Sequence, residues 1–127
     1  MECMATRWSE QAAYDLETAA AMYSTGRWLY VLFCCQQAVE KMLKSLIVLR
    51  TQETPPRLHN LMRLAARAGL EVDESRAESF RLLAAYYIET RYPEELGSLA
   101  AAATEPLARE TLEQTREVIA WLKSLSG

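Results

Sequence analysis

The sequence predicts an all-α protein, an up-and-down helical bundle of four longer helices plus one short helix, built as a single domain over residues 1–127. Three observations carry this. Apolar residues recur at spacings of three and four along most of the chain, the period of a helix face turned toward a core. No stretch shows the strict alternation of a half-buried strand. The prolines fall between the amphipathic stretches or in their first turns, where a helix tolerates them. A chain of 127 residues can bury one core without disulfides or metal.

The first helix is expected to start near Thr6 or Ser9, either of which can cap it, and to run to Ser24, with Ala12, Leu16, Ala19 or Ala20, and Tyr23 inward. Gly26 ends it. A link of two or three residues then leads into the central helix, Trp28 to Leu49, so the two form an antiparallel hairpin. The central stretch has neither Gly nor Pro over 22 residues. Ala38, Met42, Ser45 and Leu49 make one stripe on it, widened by Cys34, Val39 and Leu46. Pro55 and Pro56 impose a loop after Arg50. The short helix, from about Asn60 to Ala68, turns Leu61, Leu64, Ala65 and Ala68 inward and stops at Gly69. Asp73 or Ser75 caps the next helix, with Phe80, Leu83, Ala84, Tyr87 and Ile88 on its inner face and Arg91 and Tyr92 in its last turn before Pro93. Glu94 to Ala103 lacks an amphipathic pattern and is expected to be an ordered loop. Thr104 opens the last helix, with Pro106 in its first turn and Leu112, Thr115, Ile119 and Leu122 inward.

Composition narrows the function classes. A net charge of −3 argues against coating nucleic acid by bulk electrostatics, though not against a local basic patch. Residues 54–92 carry six Arg against five acidic residues, and residues 93–127 three basic against six acidic, so nucleic-acid contact should avoid the C-terminal part. Cys3, Cys34 and Cys35 form no disulfide framework and fit a reducing compartment. The N-terminal MECMATRWSE lacks the apolar run of a signal peptide, and Trp28 to Cys35 is far too short to span a membrane. A soluble, cytoplasmic protein is expected. No cofactor or metal is expected either, since there is no Gly-rich phosphate loop and no His or Cys cluster.

The chemistry-bearing residues are few. Gln36, Glu40 and Lys44 lie four apart on the central helix, with Gln37 and Lys41 on the adjacent line. They form either a solvated face or the lining of a groove. His59 is the sole histidine and therefore the natural acid or base near neutrality; a structural place at the start of the short helix, with a neighbouring carbonyl for partner, is the reading its position favours. Arg91 near a helix end would complement the helix dipole. Tyr92 is expected to pack with only its hydroxyl wet.

The run Phe33-Cys34-Cys35-Gln36-Gln37-Ala38-Val39-Glu40-Lys41 with Lys44, then His59-Asn60-Leu61, then Arg91-Tyr92-Pro93, resembles the HEPN family of small all-helical domains, over roughly Trp8 to Leu122. The resemblance implies an HEPN-like homodimer whose central helices enclose a cleft lined by Gln37, Glu40, Lys41, Lys44, His59, Arg91 and Tyr92, with Arg91 as a phosphate ligand. It implies a nucleotide- or RNA-associated binding module and a toxin–antitoxin type pair with a minimal nucleotidyltransferase. Relatives that cut RNA without metal carry an Arg followed after four to six residues by a His. Leu96, Gly97 and Ser98 follow Arg91 at those positions and Gln52, Glu53 and Thr54 precede His59, so that motif is absent. Two alternatives stand beside the binding module. One is a metal-independent endoribonuclease toxin using Arg91 and His59 in the dimer cleft. The other is a purely structural dimeric interaction domain.

Overall fold

A computed structural model describes residues 2–126. Six α-helices and one 3-10 turn follow in the order α1 (Glu2–Ser24), α2 (Trp28–Thr51), α3 (Leu61–Arg67), α4 (Glu74–Ala84), the 3-10 turn Ile88–Thr90, α5 (Pro93–Ala102) and α6 (Glu105–Leu125), with no strand among the described residues.

The hairpin of α1 and α2 is the spine. Ala5, Ala12 and Ala19 recur every seven residues on α1 and are each at most 3% exposed. A small residue at each heptad lets two helix backbones approach closely along a shared seam. Helix α1 begins at Glu2, a turn before the expected Thr6 or Ser9. The extra turn is held by tertiary contact, since Ser45 Oγ of α2 donates to the Ala5 carbonyl at 2.8 Å. Gly26 makes the turn at φ 74°, a left-handed conformation that glycine adopts without steric cost.

Helix α2 runs through the middle of the bundle. From Val31 to Val48 most of its residues are buried, including the polar Gln36, Glu40, Lys44 and Ser45. It ends at Gln52, whose left-handed backbone returns its N–H to the Val48 carbonyl. Asn60 caps α3, its side chain accepting from Arg63 N at 3.0 Å, and Gly69 at φ 73° follows the helix end as expected. Between the two expected caps of α4, Asp73 is the one used, accepting from Arg76 N at 2.8 Å.

The largest departures lie between residues 84 and 103. Helix α4 stops at Ala84 and does not continue to Tyr92. Ala84, expected inward, is exposed. The break lets Tyr86 enter a second apolar cluster with Leu32 and Ala103 and still buries Ile88. In one continuous helix those two side chains would point about 200° apart. Residues expected as an ordered loop instead form α5. Pro93 sits at its start and Glu94 and Glu95 in its first turn, which suits the helix dipole, and its alanines favour helix intrinsically. No residue of α5 is fully buried; Leu99 anchors it to the second cluster. Helix-forming chemistry, not amphipathic patterning, makes this element.

Helix α6 closes the bundle, with Thr104 Oγ1 accepting from Leu107 N at 3.3 Å and Ala108, Leu112, Val118, Ile119 and Leu122 in the main core. Its Thr111 is 2% exposed and its hydroxyl oxygen is buried without a hydrogen-bond partner. Thr111→Val keeps the shape and removes the unsatisfied group, so it is expected to stabilise the protein by about 1 kcal/mol. A urea midpoint that falls in the variant would show that the hydroxyl is satisfied in solution.

Candidate functional site

The polar stripe of α2 is interior. Gln36, Glu40 and Lys44 are 0%, 4% and 6% exposed, so the plain solvated face is excluded for these three. A carboxylate so enclosed needs partners for its lone pairs, and Glu40 has them on several sides. Gln36 Nε2 donates to it at 2.9 Å. The Lys44 ammonium donates at 3.1 Å and also lies over the Trp8 ring of α1, 5.3 Å from its centroid. The third partner comes from the loop before α3, where the proline pair brings His59 across the bundle. His59 Nδ1 lies 3.1 Å from both Glu40 oxygens.

The other ring nitrogen faces outward. His59 Nε2 is 3.0 Å from the Tyr87 hydroxyl, and the two rings stack with centroids 4.0 Å apart. Tyr87 in turn donates to Glu89 at 3.1 Å. A chain of hydrogen bonds thus runs from the interior Glu40 through His59, whose side chain is 46% exposed, to Glu89 at the surface. On the inner side Gln37 extends it, donating to Gln36 Oε1 at 2.7 Å.

Burial, the hydrogen bond to Glu89 and the negative charges of Glu89 and Glu40 push the Tyr87 phenol up to about 12. Its neutral form is the one the fold holds. The stabilisation this represents is complete below the ordinary tyrosine value near 10 and is lost as pH rises through about 12. In an alkaline absorbance titration, Tyr87→Phe is expected to remove the last phenol to ionise; loss of a phenol that ionises at the ordinary tyrosine value would place Tyr87 in water.

The remaining sequence candidates are arranged otherwise. Lys41, on the adjacent line of α2, turns to α1 and pairs with Asp15 at 2.7 Å. Arg91, expected in a helix end, lies in extended backbone between the 3-10 turn and α5. Its guanidinium donates to Glu95 at 3.1 Å and to the Ala85 carbonyl at 3.3 Å, and it shares no partner with His59. Tyr92, expected to pack, is 72% exposed; the end of α4 at Ala84 leaves it as the residue before Pro93, with no helix neighbour to cover it. Tyr87 and Glu89 complete the chain but were not among the sequence candidates, because an uninterrupted helix assigns Tyr87 to the apolar face. Burial pushes the Cys34 and Cys35 thiols up to about 11 and about 12, so neither is a thiolate nucleophile at neutral pH.

A family model described as the HEPN domain matches residues 5–125. The chain belongs to the HEPN domain family. Two solved structures agree in fold. TT1696 from Thermus thermophilus superposes with a TM-score of 0.78 at 29% identity, covering 94% of this chain and 96% of that one. ST0689, described as an archaeal HEPN homologue, gives a TM-score of 0.76 at 24% identity, covering 97% and 98%. Among curated proteins none matches. Within this HEPN domain no described helix is long and apolar enough to cross a membrane.

Proposed function

We propose that this HEPN domain is a nucleotide- or RNA-associated binding module, acting as a homodimer in a toxin–antitoxin type pair with a minimal nucleotidyltransferase. The observation that supports the reading best is the positioning of His59. A buried carboxylate grips the ring at Nδ1 and a tyrosine stacks on one face, so a half-exposed polar aromatic group is held in one orientation. Orienting a side chain in advance removes much of the entropic cost of engaging a ligand. Gln37, His59, Arg91 and Tyr92 are the ligand-facing members in this proposal. Glu40 and Lys44 support His59 from inside, and Lys41 lies at the edge, tied to Asp15.

Calorimetric titration with ATP, GTP and a mixed-sequence RNA tests the module. Heat is expected with at least one of them, and His59→Ala is expected to weaken that ligand at least about tenfold, the loss of one stacking contact on the exposed part of the ring. No heat with any of the three ligands would overturn the reading.

A second reading has one observation in its favour: a histidine held by a carboxylate is the arrangement of a general acid–base group. It would be the metal-independent endoribonuclease, with His59 and Arg91 acting together. Against it, His59 Nε2 is occupied by Tyr87 and the Arg91 guanidinium by Glu95 and Ala85. Labelled RNA incubated with the protein in chelator is therefore expected to stay intact. Cleavage that disappears in both His59→Ala and Arg91→Ala would replace the binding module with the nuclease.

A further inference from the structure

The loop before α3 and α3 itself carry a charge pattern that the His59 network does not use. Residues 54–70 contain Arg57, Arg63, Arg67 and His59 and no acidic residue, in a chain whose net charge is −3. Arg57, Arg63 and Arg67 are all exposed, and none joins an ion pair among the described residues. Most other arginines of α4 to α6 do: Arg76, Arg81, Arg91 and Arg109 each have a carboxylate partner. Glu53 and Glu71 mark where the segment ends on either side.

Helix stability does not account for this placement. Arg67 in the last turn of α3 suits the helix dipole, but Arg63 is in the first turn, where the dipole disfavours a cation. The two also stand four residues apart, where like charges repel. Together they wall a shallow hollow of about 290 Å³ whose other lining residues are Leu58 and Ala66. The floor is thus apolar and the walls are two forked cations. Four residues of helix set them about 6 Å apart along the axis, comparable to the spacing of successive phosphates on one strand.

We infer that Arg57, Arg63 and Arg67 form a phosphodiester-binding track for single-stranded RNA, running along α3 beside His59. The inference rests on the RNA arm of the proposed function and adds to it the surface that holds the backbone. Arginine forks bind phosphate oxygens in pairs, and each contact releases counterions from the strand, so binding weakens with salt in proportion to their number. His59, on the same loop as Arg57, is then the side chain that meets a base or sugar of the bound strand.

The test is binding of a fluorescent mixed-sequence single-stranded RNA by anisotropy across a series of salt concentrations. The triple variant Arg57→Gln, Arg63→Gln and Arg67→Gln is compared with wild type and with Arg7→Gln, Arg27→Gln and Arg116→Gln, which removes the same charge from exposed arginines elsewhere. Three phosphate contacts on a single strand correspond to about two units of the log–log salt slope, and to roughly a hundredfold affinity at 0.1 M salt. The α3 triple variant is expected to lose both, and the distant triple variant to keep the slope. Arg→Lys at Arg57, Arg63 and Arg67 should restore the slope, which shows that the charge, not a folding defect, was removed. RNA binding that is equal in wild type and α3 variant overturns the track and leaves the binding module standing. Equal losses in the two triple variants overturn it too, since net charge alone would then act. Absence of RNA binding in wild type overturns the track together with the RNA arm of the proposed function.

Discussion

Glu40→Ala is expected to cost the fold about 3–5 kcal/mol, because it leaves the Lys44 ammonium inside the protein without its carboxylate. Lys44 is only 6% exposed and its other recorded neighbour is the face of Trp8, which cannot replace a full negative charge. Against a total stability of about 5–15 kcal/mol for a domain of this kind, such a loss is large. Glu40→Leu with Lys44→Met removes both charges and fills the space. It is expected to recover most of the loss, as replacements of buried ion pairs by apolar residues commonly do. Recovery should stop short of wild type, since Gln36 and His59 lose an acceptor. Urea denaturation at neutral pH measures all three proteins. If Glu40→Ala costs less than about 1 kcal/mol, water reaches the pair and the stripe is a wet face after all. The double variant also separates stability from function: it stays folded while His59 is no longer gripped at Nδ1, so ligand affinity should fall with little change in unfolding.

How much of this was legible beforehand depends on which physical signal each element uses. The α1–α2 hairpin, the Asn60 and Asp73 caps, and the start of α6 at Thr104 follow from local rules, namely apolar periodicity, side-chain oxygens facing orphan N–H groups, and glycine at positive φ. The end of α4 does not. Residues 84–92 contain no Gly or Pro, so nothing local stops the helix. What stops it is the tertiary gain of burying Tyr86 against Leu32 and Ala103, a contact that reaches across more than fifty positions to Leu32. Helix α5 escapes local rules for the opposite reason: it buries little, so it leaves no periodic trace. The same two facts govern the site. Gln36, Glu40 and Lys44 were readable as a line on α2, and their four-residue spacing signals a shared face. Its enclosure on the His59 side depends on how far the Pro55–Pro56 loop reaches. Tyr87 joins His59 only because α4 has already broken. Arg91 and Tyr92 changed surroundings with that break, the first to Glu95 and Ala85, the second to solvent.

The seam beneath the site yields the second large effect. Ala12 is fully buried at the midpoint of the Ala5–Ala12–Ala19 strip that faces α2, and α2 behind it is fixed by α6 and α3. A larger side chain there has nowhere to go, because interiors are close-packed and their neighbours relax only partly. Ala12→Leu is expected to destabilise by about 1–3 kcal/mol, lowering the melting temperature by roughly 4–12 °C for a domain of this size. Ala21→Leu, on the exposed side of the same helix, adds the same atoms in water and should stay within about 0.5 kcal/mol. The control matters because leucine and alanine are both good helix formers, so a shared effect would reflect helix propensity and not packing. The site should feel the seam as well. Trp8 covers Lys44 from α1 and Asp15 pairs with Lys41 from α1, so pushing α1 outward uncovers Lys44 and stretches the Lys41 pair. Trp8 fluorescence, read in a protein with Trp28 and Trp121 replaced by Phe, should shift toward the red in Ala12→Leu before the unfolding transition begins. A melting temperature that matches wild type would mean that α1 sits further from α2 than the buried alanines imply, and that the polar line of α2 is held from the His59 side alone.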